Sequence, residues 1–424
     1  MRDERGIGRA FVALQHRDFR VLFLSNITSG MGGQLQLVAN AWQIYALTGS
    51  ALHLGLTGLA RFIPILLFSL VGGVIADRWD RRKIMMTSQM INGAFAVVLA
   101  VLSITGLVEV WHIYGVTFIN ATLMSVAQPT RRAVIAGLVP RHHLVNATAL
   151  NASIHQIDRI VAPSIAGILI ALFGLPITYA LNGIAHLVTA IALGVIALGP
   201  VQGRPEGSPL RNLLEGLAFV RERSIIFVLL MTDVVAMLLG SYQVLLPIIA
   251  EQYDAGPIGF GLLSSAPAIG SLVGVTIIMY LGDVPYKGRL IIGAILGYSV
   301  LLVGLALSPV FAIAMLFAAG LGLTDSMQAT IRNAAIQLMT PDGLRGRVSA
   351  FQHMLQGGGP ALGQGIMGGA AGLLGLPLAL VGGAALCLAI TISFVFGRAD
   401  LRARDLGEQA AREPITGRAP VGVG

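Results

Sequence analysis

Three aspartates, Asp158, Asp233 and Asp325, and two arginines, Arg61 and Arg159, interrupt runs of apolar residues long enough to cross a bilayer. A charge at that depth is costly and is kept where it faces a partner or a wet cavity, so each is a functional candidate. The chemistry they offer is proton exchange. Desolvation disfavours an ionised carboxyl and a nearby arginine favours it, so an acid whose surroundings change can take a proton on one face of a membrane and release it on the other. Asp233 has no basic residue in its own run and ranks first; Asp158 and Asp325 follow, since Arg332 lies two helical turns beyond Asp325 on the same face and can neutralise it. Asn151, His155 and Asp158 stand at i, i+4 and i+7 on one stripe that faces a cavity. Arg159 points about 100° away from it, and a structural Asp158–Arg159 network is the alternative.

A second set is uncharged. Ser29, Gly33, Gln36, Asn40 and Gln43 are spaced 4, 3, 4 and 3, a polar stripe on an otherwise apolar helix. Amides there suit the wall of a water-filled pathway, so Gln36, Asn40 and Gln43 join Arg61, Asn151 and His155 as candidates for lining a substrate cavity. The competing reading is that the amides glue helices together. Arg61 favours anionic or polar substrates if it faces inward and has no specific role if it snorkels to the headgroups. His142 and His143 lack further ligands at metal spacing and read as solvated surface, and Cys387, the single cysteine, reads as a small buried hydrophobe. No metal or cofactor site is expected, no Walker loop is present, and the chain does not read as an enzyme.

The elements that hold these residues follow from composition. Charged residues are 11% of the 424, against a usual ~25%, and hydrophobic residues are 55%. The net charge of +8 sits in short clusters between apolar runs, which excludes a nucleic-acid reader and marks a membrane protein. A crossing needs ~20 apolar residues. Twelve segments qualify: 21–46, 52–76, 84–106, 110–130, 148–172, 176–198, 225–250, 258–281, 289–307, 309–330, 348–372 and 376–397. Of the 28 basic residues, 26 fall in the even-numbered connections, the termini or their edges, which places both termini in the cytoplasm. The arginine-rich amino terminus lacks the apolar core of a signal peptide and is expected to remain.

The chain also repeats itself. A shift of 201 residues lays "RRAVIAGLVP" from Arg131 on "RNAAIQLMTP" from Arg332, and "FGLPITYALNG" from Phe173 on "LGLPLALVGG" from Leu374. A shift of 206 brings Gly55 onto Gly261 and Asp77 onto Asp283. Two parallel six-helix bundles are implied, an all-α membrane fold of twelve helices, with a cytoplasmic segment 1–20, bundles at 21–198 and 225–397, a cytoplasmic linker 199–224 and a cytoplasmic tail 398–424.

Gly73, Asp77, Arg78, Arg81 and Arg82 resemble the loop signature of the major facilitator superfamily, G-x-x-x-D-R-x-G-R-[KR], with Asp80 where the pattern has glycine. "RDFRVLFLSN" and "QPTRRAVIAGLVPRHHLVNATALN" resemble the branch that holds the enterobactin exporter and related drug efflux proteins. By that resemblance Asp77 is a gate acid bridging toward the start of span eleven near Val348; on physical grounds it can meet Arg131 or Arg132. "RIVAPSIAGIL" keeps Pro163 and Gly167 of the superfamily antiporters' span-five signature but has Ala162 and Ala166 for two of its glycines. The expectation is a monomer in the cell inner membrane that exports a siderophore or hydrophobic drug-like molecule by alternating access, in exchange for protons. Proton-coupled uptake is the rival within the class, and a non-transporting sensor or assembly partner the rival outside it.

Overall fold

The computed structural model describes residues 7–196, 209–282 and 287–396; within these, the side chains of residues 7–10, 70, 71, 73, 74, 76–78, 209, 210, 212, 395 and 396 lie outside the described set. Every regular element described is helical: α1 (Arg17–Thr48), α2 (Ala51–Arg78), α3 (Arg81–Thr105), α4 (Val110–Leu138), α5 (Leu144–Val195), α6 (Pro209–Glu222), α7 (Ser224–Leu239), α8 (Leu246–Glu251), α9 (Gly256–Leu281), α10 (Lys287–Ala306), α11 (Phe311–Met339), α12 (Asp342–Leu374) and α13 (Leu376–Phe396). Among the described residues nine stretches are long and apolar enough to cross a membrane. One of them is 55 residues long, enough for two crossings. It breaks at Gly174, whose φ of +79° and ψ of 173° only glycine adopts without strain. α1 and α12, at 32 and 33 residues, are each long enough to cross, at ~1.5 Å of rise per residue. The amides of α1 and the glycines and charges of α12 lower their hydropathy. Counting the break and these two helices gives twelve crossings in the expected order.

Two helices run further than the apolar pattern alone predicts. α4 continues to Leu138 and α11 to Met339, so Arg131 and Arg332, read from sequence as loop-edge charges, lie inside helices, 8% and 2% exposed. Asp80, the departure from the loop signature, is the N-cap of α3: its Oδ1 accepts from the backbone N–H of Arg82 at 2.9 Å and of Lys83 at 3.4 Å. It satisfies donors that a helix start leaves without partners.

By packing, the described residues form two compact units, one within 1–206 and 243–268, the other within 207–242 and 269–424. In the first, a 3-10 segment, Ile7–Gln15, leads into α1 and is held by the Ala13 N–H donating to Asn146 Oδ1 and by a hydrogen bond of 3.0 Å between His16 Nε2 and His143 Nδ1. Ala13, Phe19 and Leu22 bury there against Met85, Val134 and Leu193. Gly72 brings α2 onto α4: a Cβ there would run into the Ser125 carbonyl. Residues 243–268, from the second repeat, pack in this unit through Trp42 stacked on Phe260, Ser164 bonded to Ser265, and a Gly167–Gly261 crossing with no room for a side chain.

The second unit is built on apolar contact. Ile225, Leu229 and Leu230 of α7, Ile291 and Ile295 of α10, Ile331 and Ile336 of α11 and Phe351 of α12 form one buried cluster. α6, inside the stretch read as a linker, joins it with Phe219 and Val220, and its Glu215 pairs with Arg347 at the start of α12.

Candidate functional site

α1 and the second part of α5 meet through a ladder of polar side chains inside the first unit. Asn182 Nδ2 donates to Gln36 Oε1 at 2.6 Å, and the Tyr179 hydroxyl lies 3.0 Å from Asn40 Oδ1 and 2.7 Å from Gln43 Oε1. Asn40 and Gln43 then donate to Thr117 of α4 and Ser103 of α3. Gln36, Asn40 and Gln43 are all buried, at 3%, 8% and 4% exposure. These contacts are of the kind helix-gluing amides make, but they leave Gln36 Nε2 and Asn182 Oδ1 without hydrogen-bond partners among the described residues. Of the stripe's two other positions, Ser29 is buried with no hydrogen-bond partner for its hydroxyl among the described residues, and Gly33 is exposed, with nothing within 4 Å of where a Cβ would stand.

The partners on α5 were not singled out from sequence, although a signal exists. Tyr179, Asn182, His186 and Thr189 are spaced 3, 4 and 3, a polar stripe on span six as regular as that on span one. All four are buried: the Thr189 hydroxyl donates to the Ser25 carbonyl, and the His186 ring bonds Gln89 of α3. Glycines set the spacing, since a Cβ on Gly32 would stand 2.7 Å from Asn182 Oδ1.

Asp158 sits apart from this ladder. It is 2% exposed, and neither carboxylate oxygen has a hydrogen-bond partner among the described residues. The side chain lies against α1 at Gly30, where a Cβ would run into Asp158 Oδ2 unless the carboxylate shifted. Arg131 of α4 is its charged neighbour, and the buried Arg131 Nε also lacks a partner among the described residues. Arg159 is exposed and makes no hydrogen bond to Asp158. Of the stripe mates, Asn151 accepts from Asn26 of α1 at 3.1 Å, and His155 is exposed.

In the second unit the acid ranked first has found a base. Asp233 of α7 is ion-paired and hydrogen-bonded to Arg332 of α11, the two side chains 6% and 2% exposed. The arginine that sequence spacing assigned to Asp325 therefore pairs with a residue 99 positions away, and Asp325 makes other interactions. Among the loop residues, Arg81 and Arg82 are half-buried and Arg132 is exposed; the side chains of Gly73, Asp77 and Arg78 lie outside the described residues, as does Asp283. Arg61 is half-buried on α2. No group of three or more His, Cys, Asp or Glu able to hold a metal occurs among the described residues.

Comparison with known proteins agrees with this layout. Residues 9–419 match the model of a family described as transmembrane secretion effector. The enterobactin exporter EntS of Escherichia coli O81 (strain ED1a) is 25% identical over 359 residues, covering 84% of this chain and 85% of that protein. The enterobactin exporter EntS of Salmonella choleraesuis (strain SC-B67) is 26% identical, covering 84% and 86%. Among solved structures, the nucleoside transporter NupG superposes with a TM-score of 0.69 at 14% identity, covering 90% of this chain and 98% of that one. The D-xylose-proton symporter superposes with a TM-score of 0.69 at 12% identity, covering 89% and 96%.

Proposed function

This chain belongs to the transmembrane secretion effector family of major facilitator transporters, and from that membership we propose that it exports a siderophore or another small hydrophobic molecule in exchange for protons, with Asp158 carrying the proton. A multi-pass membrane transporter rather than an enzyme is the established part. Outward direction and substrate class rest on the relatives, two of which are named as exporters of enterobactin. The membrane is the cell inner membrane, with both termini cytoplasmic and a single chain as the working unit; the distribution of arginine and lysine supports that orientation.

The observation that carries the coupling is the unpartnered, buried carboxylate of Asp158. An ionised acid so buried has no hydrogen bond among the described residues to offset its desolvation, so it gains from taking a proton whenever the charge of Arg131 is moved away from it. Asp233 is held by Arg332, and a proton would have to displace that ion pair. Asp77 keeps the role of gate acid. Arg131 is buried beside Asp158, so the exposed Arg132 is the more accessible of its two suggested partners.

The test is accumulation of enterobactin, and separately of ethidium, in cells lacking the gene and complemented with wild type, Asp158→Asn, Asp233→Asn or Asp77→Asn, with and without an uncoupler. Wild type lowers accumulation, the uncoupler abolishes the effect, and Asp158→Asn behaves like uncoupled wild type. Raised accumulation with wild type would instead identify uptake. Indifference to the uncoupler would remove the proton, and equal complementation by all variants would favour a sensor.

A further inference from the structure

We propose that Asp158 exchanges its proton through water held beside Gly33, in a space on α1 that Ser29 and Gln36 line and that the glycine keeps open. Gly33, Ser29 and Gln36 are positioning residues for that water. This rests on the reading of Asp158 as the proton carrier.

Three observations meet on one face of α1. Ser29 and Gln36 are 6% and 3% exposed, and neither Ser29 Oγ nor Gln36 Nε2 has a hydrogen-bond partner among the described residues; the same is true of both carboxylate oxygens of Asp158. Buried polar atoms in that condition take their hydrogen bonds from ordered water where there is room for it. The room is at Gly33. It is exposed, with nothing within 4 Å of where its Cβ would stand, while Ser29, Gln36 and Asn40 on the same stripe are buried, so the opening is local and is not a lipid-facing side of the helix. Ser29 lies four residues before Gly33, Gly30 three before and Gln36 three after, the spacings at which residues of a helix are neighbours. Asp158 Oδ2 stands beside Gly30. One turn, about 5–6 Å between Cβ positions, separates that spot from the space at Gly33, a gap that roughly two waters span.

The polar seam is open toward one end of α1. Toward the start of the helix it is closed by Asn26, four residues before Gly30, which donates to Asn151 of α5 at 3.1 Å. Toward the other end Gln36 begins the ladder of Asn182, Asn40, Tyr179 and Gln43, and that end lies outside in the proposed orientation. The charged and titratable groups around the carboxylate do not replace the water. Arg131 of α4 does not release its proton, His186 of α5 bonds Gln89, and His155 and Arg159 of α5 are exposed. Beyond Arg20, α1 carries no acid, histidine, lysine or arginine.

The test is a rate. Purified full-length protein, protonated at low pH, is moved into deuterated buffer of the same pH, and the isotope shift of the carboxyl C=O infrared band that Asp158→Asn removes is followed in time. The thermal unfolding midpoint in detergent reports the fold. Gly33→Leu fills the space and slows the shift about tenfold or more, with a midpoint within about 2 °C of wild type because nothing stands within 4 Å of its Cβ. Ser29→Ala and Gln36→Leu slow it by less, and Gly115→Leu, a substitution into equally open space on α4, leaves the rate unchanged. A folded Gly33→Leu protein with the wild-type rate would overturn the water path and leave the reading of Asp158 intact. A wild-type protein with no band that Asp158→Asn removes would take away that reading itself. Should Gly33→Leu fail to fold, Gly33→Cys in a Cys387→Ser background supplies a second arm: a water-soluble methanethiosulfonate modifies the thiol and slows the shift. A thiol that stays unreactive, or modification that leaves the rate unchanged, would overturn the proposal.

Discussion

The interiors of the two sequence halves are built differently. Where α1 meets the second part of α5, amides and hydroxyls bond across the helices, from Gln36–Asn182 to Gln43–Tyr179, and one carboxylate nearby has no partner among the described residues. Around α7, α10 and α11 the interior is aliphatic, and the charge it contains is locked in Asp233–Arg332. A hydrogen-bonded ladder and a closed ion pair both rigidify, but the Asp158 carboxylate makes no hydrogen bond among the described residues that a proton must displace. The contrast teaches that an acid's neighbours in space, rather than its depth in the membrane, separate a structural carboxylate from a coupling candidate.

The largest expected effect breaks the locked site. Arg332→Ala strands the Asp233 carboxylate and should cost about 3–5 kcal/mol, read as a lowered unfolding midpoint, with Arg332→Ala/Asp233→Ala recovering part of it. Asp158→Asn, an equally deep change in the other half, should move stability by less than about 1 kcal/mol because no hydrogen bond is lost. Similar losses for the two would erase the comparison. Next, Tyr179→Phe removes the hydroxyl that reaches Asn40 and Gln43 and should cost about 1 kcal/mol in the same assay, leaving uncoupler-sensitive export intact if those amides are glue. Loss of export at unchanged stability would return them to the pathway. The smallest effect is at the loop. Asp80→Ala should cost about 1 kcal/mol through the lost N-cap, and Asp80→Asn only a fraction of that, since asparagine caps equally well.

Much of the fold was legible because hydrophobic length and basic-residue alternation are strong signals, and the break expected between residues 172 and 176 falls at Gly174. Pairing between helices was not. Asp233 lacks a base in its own span, and nothing in local spacing points to Arg332 on another helix 99 residues away. Counting Arg131 and Arg332 as topology signals ended α4 and α11 too early, since a buried arginine and a loop arginine look alike in a hydropathy window. The stripe on α1 was visible by its period, but whether it faces water or another helix depends on Tyr179 and Asn182, whose own period passed unread. Asp80 was puzzling as a replaced glycine and becomes plain once it stands at the first turn of α3.

The most direct measurement is the pH-difference infrared spectrum of the purified wild-type protein beside Asp158→Asn and Asp233→Asn. The account predicts a titrating carboxyl band that Asp158→Asn removes and Asp233→Asn leaves in place. A band that survives Asp158→Asn, or vanishes with Asp233→Asn alone, would contradict it.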